Sequence, residues 1–366
     1  MASFLKRGKT WQYSISRMVG GKYKPIRKGG FKTKKEAQVA AAEVEANMRK
    51  GVIPNLKPVS FSEYLEQFIN VYKIDIDENT LKRYKNTLNT VYSYFGHIPI
   101  QDIKKSDYQE FLNDYGKTHA KESTRKLNIH IRACVREAID EGIIFKDFTR
   151  DAKLKGKDSK RPEEKHLNYF EYKLLLKEVY KRLDQGMTYY IILLALTTGM
   201  RYSELVGLTR RDINFKNNTI KINKTWDYKG GNKFKDTKNH ETRVIKVNNK
   251  TMRVFEQLFE KVPDNIHQLV FYSPQSKYKV YTSASLNKVL RNLLKVLNIE
   301  QTITMHGLRH THASVLLYLR CSIYYVSERL GHKDTQTTHI YYAHVIKELR
   351  AEDEQKATKT IDQMVG

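Results

Sequence analysis

Apolar residues in the first fifty positions recur with a period of two and then switch to a helical period. Trp11, Tyr13 and Ile15 alternate with polar residues as in a half-buried strand, Gly20-Gly21 marks a turn, Tyr23 to Arg27 returns as a second strand, and a third short strand ends at Phe31. Thr33 and Glu36 then make a capping box for a helix reaching about Lys50, with Ala37, Ala40, Ala41 and Val44 as its packing face. Gly51 to Pro58 reads as a linker.

From Phe61 the period is helical. Phe61, Tyr64, Leu65 and Phe68 form one stripe; Leu81, Tyr84, Leu88, Val91, Tyr92 and Phe95 form another that ends at Gly96. A third helix covers Lys105 to Tyr115, and a fourth, Glu122 to Glu141, buries Leu127, Ile131, Cys134, Val135 and Ala138. On its other side Arg125, Asn128, Arg132 and Arg136 recur at helical spacing, either to track a phosphate backbone or as a solvated basic face. Arg150 to Lys165, charged and poor in apolar residues, reads as a second linker.

Beyond it, Asn168 and Glu171 cap a helix through Tyr180, Met187 to Thr197 forms a buried apolar helix, and Gly199 breaks the chain so that Arg201 starts the next helix with Glu204 on its face. Thr219 to Lys224 and Arg243 to Val247 alternate as strands, with Asp227 to Glu241 projecting between them as a lysine-rich hairpin. Lys250 to Lys261 and Ser283 to Leu297 are helices. The second buries Leu286, Val289, Leu290, Leu293 and Leu297, and Lys288, Arg291 and Lys295 line another side as a candidate DNA-facing stripe. Ile323 to Leu330 has apolar residues at helical spacing, and Gly331 follows as a left-handed cap. The fold class expected is multidomain and mostly α with small β parts.

Composition adds a partner. Among 366 residues, 66 are Lys or Arg and 40 are acidic, a formal charge of +26 that calls for a polyanion, nucleic acid first. Residues 1–50 alone hold 13 basic and 3 acidic residues. Cys134 and Cys321 have no metal or redox spacing, which fits a reducing cytoplasm, and neither a membrane span nor a signal peptide is expected.

The candidate chemistry lies between Met305 and His344. His306 and Arg309, three apart, project from one helix face, joining a group that can pass a proton to a planar fork that suits a phosphate. His332 follows Gly331, and ten residues later comes Tyr342, next to Tyr341. A phenol with a pKa of about 10 is about one part in a thousand ionised at pH 7, so a nucleophilic tyrosine needs cationic and proton-accepting neighbours.

Thr198-Gly199-Met200-Arg201 with Glu204, a hairpin lysine, His306 with Arg309, Leu330-Gly331-His332 and then Tyr342 resemble, in order, the signature of the tyrosine recombinases, in particular integrases of temperate phages and integrative mobile elements. The resemblance implies a basic arm-site DNA-binding domain at 1–52, made of a three-stranded sheet plus a helix, a four-helix core-site DNA-binding domain at 58–150, and a mixed α+β catalytic domain at 166–366. It implies that Tyr342 attacks a DNA phosphorus to give a 3′-phosphotyrosine, that Arg201 and Arg309 bind the non-bridging oxygens, that Lys238 protonates the leaving 5′-oxygen, that His306 accepts the phenol proton or hydrogen-bonds the phosphate, that His332 adds a hydrogen bond and that Glu204 orients Arg201. Lys235 shares the hairpin, but the run around Lys238 fits better; Tyr341 fits the shorter of two family spacings and Tyr342 the longer. No ATP, metal or other cofactor is implied. The partners implied are double-stranded DNA with arm-type and core-type attachment sites, a homotetramer assembled on DNA, an excisionase and a DNA-bending host protein, with no membrane, in the cytoplasm and nucleoid of a bacterial host. Three rivals stand beside this reading: a metal site drawn from the six histidines between His306 and His344, a non-catalytic DNA-binding regulator, and a type IB topoisomerase.

Overall fold

The computed structural model describes residues 2–49 except 17, 20, 21 and 24; 58–158; 161–332 except 229, 238 and 239; and beyond these only 335, 336, 338, 339, 354 and 357–364. The chain divides into two compact units, Met1–Ser159 and Lys160–Gly366.

The first unit opens with strands β1 (Ala2–Arg7), β2 (Thr10–Ile15), β3 (Met18–Val19), β4 (Lys22–Tyr23) and β5 (Ile26–Phe31), followed by α1 (Lys34–Arg49). A three-stranded antiparallel sheet has the order β1-β2-β5, and β3 pairs only with β4. The strand expected at Tyr23 to Arg27 is therefore divided, Tyr23 lying in the two-residue ladder β3–β4 and Ile26 and Arg27 opening β5, and the sheet is completed by β1, which the sequence pattern did not single out. Its side chains are half-buried at best, and Leu5 is exposed, so it has little alternation to read. Tyr13, Ile15 and Ile26 pack against Ala41 of α1 in a core of their own, with Ala40 and Val44 at its edge. Thr33 Oγ1 accepts the Glu36 N–H at 3.2 Å, while the Glu36 carboxylate accepts from Lys32 N at 3.0 Å rather than from Thr33, half of the expected capping box.

Helices α2 (Phe61–Tyr72), α3 (Glu78–Phe95), α4 (Lys105–Thr118) and α5 (Lys121–Asp140) enclose a second core in which Phe61, Phe95, Tyr108, Phe111 and Phe148 meet. Asp77 caps α3 through Asn79 N and Thr80 N, and Gly96 ends it at a positive φ. Tyr92, expected in the apolar stripe, is exposed. The second linker is partly structured. Lys157 N donates to the His119 carbonyl at 2.9 Å and Lys121 N to the Lys157 carbonyl at 3.1 Å, while the Gln109 side chain holds both backbone groups of Lys153. Residues 153–157 thus line the ends of α4 and α5, and a Cβ on Gly116 would lie 2.6 Å from the Lys155 carbonyl oxygen.

The second unit contains α6 (Tyr169–Lys181), α7 (Met187–Thr198), α8 (Tyr202–Val206), strands β6 (Ile213–Asn214), β7 (Thr219–Ile222), β8 (Lys224–Asp227), β9 (Lys233–Asp236) and β10 (Arg243–Lys246), and helices α9 (Asn249–Lys261), α10 (Ser283–Val296), α11 (Met305–Tyr318) and α12 (Ile323–Leu330). Helix α7 buries Ile191 to Leu196 without interruption and forms the centre of the core, contacted by α6, α9, α10 and α11. The sheet order is β10-β7-β6, all antiparallel. The strand expected at Thr219 to Lys224 splits at Asn223, because Lys224 turns its ammonium onto the Asp212 carboxylate at 2.5 Å and begins the separate hairpin β8–β9. That hairpin is anchored by buried Trp226, whose Nε1 donates to the Tyr278 carbonyl at 3.2 Å. No helix among the described residues is long and apolar enough to cross a membrane.

Candidate active site

Two helices end side by side. Helix α7 stops at Gly199 and α12 at Gly331, both glycines in the left-handed region with φ of 67° and 66°. A helix C-terminus leaves carbonyls without intrahelical partners and carries partial negative charge, so it attracts cations. Guanidinia take these positions. Arg309 Nη1 donates to the Gly199 carbonyl at 2.9 Å and its Nη2 to the Leu330 carbonyl at 2.7 Å; Arg201 Nη2 donates to the Gly331 carbonyl at 2.8 Å. The two arginines are therefore fixed on consecutive carbonyls of one turn.

Arg201 is the N-cap residue of α8, and Glu204 reaches back to it: Glu204 Oε2 accepts from Arg201 N and Oε1 from Arg201 Nη1, both at 2.9 Å. Arg243, at the start of β10, donates to the same carboxylate at 3.1 and 2.7 Å and through Nε to the Arg329 carbonyl at 2.9 Å. Burial alone would raise the Glu204 pKa, but the hydrogen bonds and charge of Arg243, then of Arg201, outweigh it and hold the pKa below the usual glutamate value. Two guanidinia, Arg201 and Arg243, share this one carboxylate, and Arg309 holds a carbonyl of the same turn as Arg201, so the cluster keeps a net positive charge, a field that suits a phosphodiester.

His306 and Arg309 share α11 but sit at different depths, His306 exposed on the first turn and Arg309 buried one turn later. The His306 ring meets the His310 ring edge-on at 4.7 Å. His332 leaves α12 through a Schellman turn, with its N–H on the Ser327 carbonyl at 3.1 Å and Gly331 N–H on the Glu328 carbonyl at 2.9 Å. Its Nδ1 lies 2.6 Å from Thr338 Oγ1. Lys238, Tyr341 and Tyr342 lie outside the described residues. Lys235, the other hairpin lysine, is paired with Asp227 across β8–β9. Lys288, Arg291 and Lys295 are exposed along α10.

Arg125, Arg132 and Arg136 do not form one open stripe. Arg125 is held by Glu122 at 2.8 and 3.1 Å, only Arg136 is both exposed and outside such a pair among the described residues, and Arg132 is half-buried with its Nε sealed from solvent. Asn128 is buried and accepts from the Tyr108 hydroxyl at 2.8 Å, because positions 128 and 132 lie on the edge of α5 that turns towards α4.

Sequence reasoning missed Arg243 and Arg329, and it considered His312 only as part of the rival metal site. Arg329 was within reach, as a basic residue in a last helical turn immediately before Leu330-Gly331. His312 Nδ1 lies 2.8 Å from the Leu196 carbonyl, and its Nε2 accepts from Arg329 Nε at 3.0 Å. Burial, then the charge of Arg329, pushes the His312 pKa down to about 3; burial, then His306 and Arg309, does the same to His310. Both imidazoles are neutral in the fold. An unfolded histidine titrates near pH 6.5, so below that pH the unfolded chain binds protons that the folded chain refuses, and stability falls as pH drops. Denaturant unfolding of the intact chain is expected to show a loss of roughly 1 kcal/mol for each of these two groups between pH 7 and 5.5. A stability that stays flat over this interval would mean that the imidazoles are not held neutral.

The model of the phage integrase family matches residues 165–348, that of the phage integrase N-terminal SAM-like domain residues 60–115, and that of an arm DNA-binding domain residues 3–48. The integrase of Staphylococcus phage L54a is 26% identical over 339 residues, covering 84% of this chain and 94% of that protein. A tyrosine recombinase XerC-like protein of Caldanaerobacter subterraneus is 25% identical over 379 residues, covering 94% and 95%. Among solved structures, the Tn1549 transposon integrase in complex with a circular intermediate DNA shares the fold with a TM-score of 0.69 at 21% identity, covering 81% of this chain and 99% of that one. A lambda integrase tetramer bound to a Holliday junction does so with a TM-score of 0.59 at 16% identity, covering 88% and 89%. The chain belongs to the phage integrase family, the tyrosine recombinases, which are enzymes that transfer DNA strands.

Proposed function

We propose that this chain recombines an attachment site of a phage or mobile element with a chromosomal site, using Tyr342 as the nucleophile. The observation that carries the reading is the fixing of Arg201 and Arg309 on consecutive carbonyls of the turn that also launches His332. The phenol oxygen of Tyr342 forms a bond to a DNA phosphorus as the bond to the 5′-oxygen breaks. His306 takes the phenol proton, and Lys238 gives one to the leaving oxygen. Arg201 and Arg309 hold the non-bridging oxygens, where negative charge grows, and His332 adds a hydrogen bond. The phosphodiester energy stays in the 3′-phosphotyrosine until a 5′-hydroxyl of another strand attacks it, so the cycle needs neither nucleotide nor metal.

Residues 1–52 read as the arm-type DNA module, 58–150 extended by the packed segment up to 157 as the core-type module, and 166–366 as the catalytic part. Lys288, Arg291, Lys295 and Arg136 are the exposed cations assigned to the DNA backbone, with Arg125 and Arg132 joining them only by leaving their present places. Joining four strands calls for a homotetramer on DNA, and an excisionase and a DNA-bending host protein would set the direction.

The test is a nicked suicide duplex carrying candidate attachment sites, incubated with the purified chain and a chelator and run on a denaturing gel. A covalent protein–DNA band is expected. No band on DNA that the protein demonstrably binds would leave a DNA-binding regulator as the better account, and a band abolished by the chelator would revive a metal site.

A further inference from the structure

Helix α12 has only eight residues, yet Arg201, Arg309 and His332 all depend on where it ends. Its apolar contacts, Val326 and Leu330 against Ala313 and Leu317, are non-directional and by themselves allow it to slide. Direction comes from Arg329. Its Nε donates to His312 Nε2 at 3.0 Å, its Nη1 to the Lys246 carbonyl at 2.9 Å and the Tyr325 hydroxyl at 3.3 Å, and its Nη2 to the Thr197 carbonyl at 3.1 Å. An arginine only donates, so His312 Nε2 accepts and the ring proton sits on Nδ1, donated to the Leu196 carbonyl at 2.8 Å. The pair thus ties together the ends of α7 and β10, the middle of α11 and the last turn of α12. The imidazole also sits against Gly199, where a Cβ would lie 2.7 Å from His312 Cδ2, and the Gly199 carbonyl is one of the two that hold Arg309.

We propose that His312 and Arg329 are a buried pair of positioning residues that sets the spacing of the Arg201 and Arg309 guanidinia and of His332 around the scissile phosphate. The proposal rests on Arg201 and Arg309 being the phosphate-binding arginines. Neither His312 nor Arg329 touches DNA in this reading. Arginine is required because no other side chain reaches acceptors in three directions from one rigid plane; a lysine ammonium in its place would have to abandon at least one of them.

The test uses the full-length chain and single-turnover cleavage of a nicked suicide duplex at saturating protein, with rates normalised to bound DNA. Two substrates are compared, one with the natural phosphodiester and one with a methylphosphonate at the scissile position, which has lost one charged non-bridging oxygen. The variants are Arg329→Lys and the double variant His312→Phe/Arg329→Leu, in which no buried charge is left unpaired, so that it folds where the single variant fails. A displacement of about 1 Å at a reacting group costs on the order of 100-fold, which is the loss expected on the phosphodiester. On the methylphosphonate the loss is expected to be at least roughly tenfold smaller, because less charge remains for the displaced guanidinia to meet. Equal losses on the two substrates, or an unchanged rate in a variant that binds DNA, would overturn the proposal. Wild-type protein that forms no covalent adduct on the phosphodiester would instead overturn the functional reading beneath it.

Discussion

Tyr342→Phe is expected to abolish the covalent protein–DNA adduct while DNA binding stays within about twofold of wild type. The substitution removes one oxygen atom, the only atom through which this side chain can bond to phosphorus. The charge that holds DNA is untouched: affinity for a polyanion comes from counterion release at Lys and Arg, and the formal charge of +26 is unchanged. The control is Tyr341→Phe, one residue away, which should still form the adduct. Loss in Tyr341→Phe with retention in Tyr342→Phe would keep the chemistry and move the nucleophile by one residue. Adduct formation by both variants would remove tyrosine at these positions from the mechanism.

Glu204→Ala carries the largest expected effect on stability. The carboxylate is wholly buried and takes four hydrogen bonds, two from Arg201 and two from Arg243. Removing it leaves two guanidinia facing each other without their shared counter-ion, a change that typically costs about 3–5 kcal/mol. For a unit of this size such a loss lowers Tm by about 10 °C. Adduct formation should fall as well, because Arg201 loses the group that fixes its fork against the Gly331 carbonyl. Glu204→Gln keeps one acceptor oxygen and should fall between wild type and alanine in both readouts. Calorimetry of the three proteins checks the order; an alanine variant melting within about 2 °C of wild type would mean that Glu204 is not the keystone of the cluster.

Much of the fold is legible as local pattern. The helix periods from Phe61 to Glu141 and the unbroken apolar run of α7 each lie within one window of sequence and bury most of the residues that their spacing predicts, with Leu81 and Leu88 half-buried and Tyr92 exposed. Glycine punctuation is equally local, and Gly199 and Gly331 both stop helices in the left-handed conformation. Less legible are elements whose partner rather than whose pattern defines them. Strand β1 has no buried alternation and exists because β2 pairs with it along six residues. Residues 153–157 read as linker because they are charged, yet their backbone is held by residues at 109, 119 and 121.

The sequence alone determined the ordered set of arginine, glutamate, histidines and tyrosines, the resemblance those residues carry, and the basic balance that calls for a polyanion. Only the tertiary structure decided how the arginines are held. Arg309 grips a carbonyl 110 residues away, Arg201 one 130 residues away, and Arg243 one 86 residues away, while His312 donates to a carbonyl at a separation of 116. Contacts of that span leave no period in the chain. They arise because helices α7 and α12 end together, and two helix C-termini brought side by side concentrate more unpaired carbonyls than either can satisfy, which draws in the guanidinia that make the site.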